Sequence, residues 1–107
     1  MAYTNTSYVS KNVGTSAVVL NTVAGATTAT LTSFVVANTT TSPITCDVYF
    51  TRSAVNYYIV KGATVPTGGS LEVMQGNRIV LIASDALTVL TSAAASADVI
   101  ASVLLAT

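Results

Sequence analysis

The chain has 107 residues, with four basic and four acidic side chains, no histidine and a formal net charge of zero. Charged residues make up 7% of it, against about 25% in ordinary soluble domains. Its solubility must therefore come from Thr, Ser and Asn or from surface hidden against other subunits, and so few charges favour association. The cations Lys11, Arg52, Lys61 and Arg78 are scattered, with no basic stripe to neutralise phosphates, which argues against nucleic acid and against an anionic membrane surface as partners.

The length suits one domain with a self-sustaining core. No apolar run approaches the roughly 20 residues that a membrane helix needs. The start, MAYTNTSYVSKN, lacks the basic and apolar regions of a secretory signal, so synthesis in a cytoplasm is expected.

Residues 1–14 are polar and aperiodic, with Tyr3, Tyr8 and Val9 as their large apolar side chains. They are expected to form an N-terminal arm outside a β-sandwich domain of residues 15–107. The tyrosines favour an arm ordered against a neighbouring subunit over a frayed end, because tyrosine brings large area at small entropic cost. Ala17–Val23 is predicted as the first strand, ended by Ala24-Gly25. Ala26–Asn38 is a long strand that changes parity: Leu31, Ser33 and Val35 share one face, Phe34 and Val36 the other. That shift calls for a bulge or for cover on both faces. Asn38–Pro43 reads as a loop.

Ile44–Val60, ITCDVYFTRSAVNYYIV, is expected as a central hairpin. Ile44, Cys46, Val48 and Phe50 alternate with Thr45, Asp47, Tyr49 and Thr51, the period of a half-buried strand. Residues 52–56 interrupt the pattern and Tyr57–Val60 resumes it. Lys61–Ser70 is read as a reversal around Pro66 and Gly68-Gly69, followed by a strand at Leu71–Met74. Arg78–Ala83 is apolar on both faces, as a covered strand would be. Ser84-Asp85 breaks it, Ala86–Ser92 follows, and Asp98–Leu105 closes the chain, again apolar on both faces. Alanine content would also allow a helix over Ala93–Leu105, but β-branched Val99, Ile100 and Val103 favour a strand.

About eight strands spaced by turn signals define an all-β chain, an antiparallel β-sandwich for which a jelly roll is one available arrangement. Strand order does not follow from the sequence. The pairs Phe34/Val36 and Ile100/Leu104 exceed what one two-layer core needs, which points to an intersubunit surface.

Catalytic chemistry finds little support. Without histidine the commonest general base and metal ligand is missing, and Ser-His-Asp or Cys-His arrangements cannot form. The carboxylates are Asp47, Glu72, Asp85 and Asp98. Asp85 in a turn and Asp98 at a strand start are explained by solvated turn and edge roles. No calcium loop, CxxC pair or phosphate-binding glycine loop occurs, so no catalytic residue, metal, cofactor or small-molecule substrate is expected. Cys46 reads as a small buried hydrophobe. Asn5-Thr6-Ser7 and Asn38-Thr39-Thr40 match a glycosylation pattern that arises by chance in a chain so rich in Thr and Ser. Tyr49 with Tyr57 or Tyr58 would suit a carbohydrate-stacking platform, although cross-strand packing explains them more simply.

Val35-Val36-Ala37-Asn38, VYFTRS (Val48–Ser53), YYIVKGATVPTGGSLEV (Tyr57–Val73), IVLIASDALTV (Ile79–Val89) and ADVIASVLL (Ala97–Leu105) carry a resemblance. Together they are similar to small β-rich virion structural proteins of tailed phages, particularly those of cyanobacterial and marine hosts. One departure is Ser84 before Asp85, where a Gly-Asp turn is more usual. The resemblance implies a non-enzymatic virion protein in many copies, made in the bacterial host cytoplasm. It further implies a capsid decoration (cement) protein, a homotrimer bridging major capsid protein subunits. A neck, tail or fibre component forming a ring or trimer is the alternative, and a carbohydrate-binding module for host attachment a second. On this reading the partner contacts are expected at Tyr3, Tyr8, Val9, Phe34, Val36, Tyr49, Tyr57 and Leu104.

Overall fold

A computed structural model describes residues 2–107. Nine strands make up the fold: β1 (Tyr3–Val13), β2 (Val18–Thr22), β3 (Thr28–Asn38), β4 (Ile44–Arg52), β5 (Val55–Val65), β6 (Ser70–Glu72), β7 (Ile79–Leu81), β8 (Ala86–Thr91) and β9 (Ala97–Ala106). They form two antiparallel sheets. One runs β1-β9-β3, with β6 and β7 both on the far edge of β3; the other runs β2-β8-β4-β5. β6 pairs with Val35–Ala37 and β7 with Ala29–Leu31, so the two short pieces act as one interrupted strand. Counted that way, eight strands form two four-stranded sheets in the double Greek key of a jelly roll, successive strands changing sheet except at the β4–β5 hairpin. The predicted strand at the chain's end is β9, and no helix occurs among the described residues.

The predicted arm is instead part of the sandwich. Tyr3–Val13 pairs with β9 from Tyr3↔Ala106 to Val13↔Ala97, and Met1 lies outside the described residues. The physical reason is that β1 is an edge strand with one face in solvent. Only Tyr8 and Val13 contribute large apolar side chains to the interior, so the alternation that betrays a buried strand is missing while the backbone ladder remains.

Within β3 the parity change is a bulge at Thr32, where the register with β9 slips between Leu31 and Ser33. The released Thr32 hydroxyl donates to the carbonyl of Ser102 at 3.1 Å. Ala29 and Leu31 before the bulge, and Phe34 and Val36 after it, all turn inward. The alternation predicted for β4 holds, with Ile44, Cys46 and Val48 buried.

Its hairpin partner β5, however, is an edge rather than a central strand, because β8 takes the other side of β4. The turn is reduced to Ser53 and Ala54, both at positive φ (53° and 62°), the geometry whose twist suits a two-residue hairpin. β5 also runs on to Val65, through residues expected as a loop. Gly62 adopts φ 68° and its N–H donates to Asp47 Oδ1 at 2.7 Å, which absorbs an irregularity and lets pairing continue to Ile44↔Val65.

At one end of the sandwich the β1–β2 and β8–β9 turns touch. A Cβ on Gly14 would stand 2.9 Å from the backbone nitrogen of Ala95, so glycine is needed for this approach. The buried hydroxyls of Thr91 and Ser96 lie 2.6 Å apart and close the end with Val13's carbonyl.

Two outcomes test these assignments. Deleting residues 2–13 should abolish the cooperative unfolding transition followed by circular dichroism, whereas loss of a mere arm would leave it intact. Replacing Ala54→Gly should raise stability by about 1 kcal/mol, since an L-residue in the left-handed region carries a penalty of that order; denaturant unfolding measures it.

Candidate functional site

The residues expected at partner contacts fall on separate surfaces. Phe34 and Val36, expected at the surface, are both 0% exposed, because the Thr32 bulge turns them into the core, and they can touch no partner. Tyr8 packs partly against the same core. Tyr3 and Val9 are exposed on β1, and Leu104 is half-buried on the outer side of β9. Tyr49 is on the outer side of the other sheet, tilted at 48° against Tyr58 with ring centroids 5.0 Å apart. Lys61 Nζ stands 4.8 Å from the Tyr58 centroid, so the two rings form no flat platform for a sugar. Tyr57 stacks on Phe50 at 5.4 Å, where Phe50, Ile59, Val60, Val73, Met74 and Ile79 line a cleft of about 480 Å³ between the β5 and β7 edges.

The outer face of the β1-β9-β3 sheet carries exposed apolar side chains among Ser, Thr and Asn. Residues opposite one another across a sheet share a face, so the register defines rows. Val9, Ile100, Val35 and Glu72 make one; Ser7, Ser102 and Ser33 the next; Asn5, Leu104, Thr30 and Val80 a third; Tyr3, Ala106 and Thr28 a fourth. Val9 is 69%, Ile100 48% and Val80 53% exposed, and Ile82 beyond β7 is open as well. Arg78–Ala83 is therefore not a covered strand: its second apolar set, Val80 and Ile82, faces outward. Two-sided apolarity was the sequence signal for this face, but it does not say whether the cover comes from the same chain.

The four carboxylates are occupied by the backbone, each at a break in a sheet. Asp98 accepts from the N–H of Asn12, at the β1 irregularity, and from Lys11 Nζ at 3.4 Å. Asp47 accepts from Gly62. Glu72 accepts from the N–H groups of Phe34 and Met74, between β6 and β7. Asp85 departs from its expected solvated role: it is 1% exposed. Arg52 grips it through Nε at 3.0 Å and Nη2 at 2.6 Å, and the N–H of Ile82 donates at 2.9 Å. The Arg52 hydrogen bonds hold the Asp85 carboxyl below its ordinary pKa. Burial, and then the nearby Asp47 charge, pushes the Cys46 thiol up to about 11, which keeps it neutral and unreactive. Among the described residues no group of three or more His, Cys, Asp or Glu side chains could hold a metal. Asn38, within one glycosylation pattern, is buried with its amide bonded to Ser42, Val65 and Thr40.

No protein-family model and no curated protein sequence matches the chain. Its fold is similar to that of solved structures. One is a subunit of Bacillus endospore appendages, described as a family of disulfide-linked pili: TM-score 0.59, 17% identity, 99% of this chain and 87% of that one. Another is from the T13 viral particle of infectious bursal disease virus: TM-score 0.56, 10% identity, 96% of this chain and 34% of that one. The VP2 subviral particle of the same virus gives TM-score 0.53 at 10% identity, with 96% and 36% coverage. The chain thus spans about a third of the viral proteins and most of the pilus subunit. At these identities the likeness defines a fold, the jelly-roll sandwich.

The Asp85–Arg52 pair gives a testable pH dependence. Asp85 has a depressed pKa in the folded state, so its contribution is complete above the ordinary value of 3.8 and disappears as pH falls through the folded value. Asp85→Asn should lose about 2 kcal/mol near neutral pH, the scale of a hydrogen bond to a charged group. Its stability should also fall less steeply than the wild type's at acid pH, as measured by denaturant midpoints.

Proposed function

We propose that the chain is a non-enzymatic structural subunit that works in many copies within a particle. One observation carries this reading: an uncovered apolar sheet face on a molecule whose four carboxylates are all committed to its own backbone. Such a molecule has adhesive surface and no charged machinery for turnover. The placement we favour is decoration of a tailed-phage head, where each copy bridges major capsid protein subunits. Its action there is energetic. Apolar area removed from water stabilises by about 25 cal/mol per Å², so modest patches repeated over a shell oppose the pressure of packaged DNA.

A fibre or appendage subunit is the second reading, supported by a similarity that takes in nearly all of both this chain and a pilus subunit. That relative is described as disulfide-linked. Here the lone Cys46 is buried, so a fibre of this chain would be held without covalent bonds.

Mass spectrometry and cryo-EM of purified particles test both readings. Hundreds of copies on the head are expected for decoration, a dozen or fewer at a vertex would indicate neck or tail, and helical arrays would indicate a fibre. Absence from every particle would overturn the structural role.

A further inference from the structure

Along the middle strand of the uncovered face, the outward side chains of β9 alternate large and small: Ile100, Ser102, Leu104, Ala106. Alternation of this kind is self-complementary. A two-fold axis lying across the strands at the level of Val103 brings a second copy face to face. It sets Leu104 against Ser102 of the second copy and Ile100 against its Ala106. Side chains of packed sheets interdigitate in this manner at about 10 Å separation, and each contact then occurs twice, as an isologous interface requires. We propose that two copies of this chain pair through the β1-β9-β3 face in this register, a pair where the resemblance implies a trimer.

Charge and area both favour a second copy as the occupant. The ions of the face are engaged within the chain: Lys11 and Asp98 with each other, and Glu72, on the edge strand at the end of the Ile100–Val35 row, with Ser33 and two backbone N–H groups. These ions are few and of both signs, so a strongly charged partner meets no patch of one sign, whereas a neutral copy leaves these groups at a polar rim. Four strands about 4.8 Å apart and ten residues rising about 3.3 Å each give roughly 600 Å² in projection. Once corrugation is included, this approaches the ~800 Å² per partner of a standard interface.

This pairing is a property of the isolated chain and does not need the virion reading. Light scattering after size exclusion should give twice 10.9 kDa. Ile100→Lys should yield monomers, while Val19→Lys, on the outer side of the other sheet, should leave the pair intact. The decisive set exchanges the alternation. Ser102→Leu opposes Leu with Leu, and Leu104→Ser opposes Ser with Ser. Each should weaken association at least tenfold with the unfolding midpoint little changed. The double variant restores large against small and should return to within about threefold of the wild type. A monomer at high micromolar concentration, tighter association of Ser102→Leu from added apolar area, or no rescue in the double variant would each overturn the proposal. A chain that is monomeric alone but has this face covered in particles would assign the face to another protein.

Discussion

The structure depends on carboxylates placed where the sheets break. Each lapse in strand register leaves an N–H without its ladder partner, an omission that is costly where water is excluded, as at the part-buried N–H groups of Phe34, Met74 and Ile82, and milder at the exposed ones of Asn12 and Gly62. Here the lapses at Asn12, Gly62, Phe34–Met74 and Ile82 are each met by an acidic side chain. With so few charges available, committing the carboxylates to the backbone leaves the outer faces sparsely charged. The features that hold the monomer together and those that make its surface adhesive are therefore one choice of sequence.

That arrangement also explains which parts of the molecule could be read from its residues. β4 and β3 were legible because one face of each is buried, so period-two alternation, and even its break at Thr32, is written in side-chain type. β1 was not, since an edge strand satisfies itself through main-chain pairing that leaves little trace in composition. β5 was read too short because Lys61–Ser70 was taken whole as the reversal around Pro66 and Gly68-Gly69, whereas Asp47, fifteen positions before Gly62, accommodates that glycine as a bulge within the strand. The partnership of Asp85 with Arg52 joins residues thirty-three positions apart, and no local pattern announces it.

The candidate surface was half legible for a related reason. Ile100 and Leu104 stood out as surplus apolar residues, and they do lie outward. Phe34 and Val36 were grouped with them because parity without register cannot tell which side of a bulge faces the core. Ser84 is informative in the opposite sense. Its φ of 74° is a conformation that glycine adopts freely, so this turn would accept the Gly-Asp pair without strain.

The position of β9 between β1 and β3 bears on how the molecule is made. Ala97–Ala106 is synthesised after the other eight strands of the sandwich, yet it is the seam that joins the first strand to the third. Until it emerges, β1 waits with neither side paired, and non-local closure of this kind is slow. The hydrophilic wording of Tyr3–Lys11 then has a kinetic sense: a strand that must linger in water without a mate is safer for being unattractive to other nascent chains.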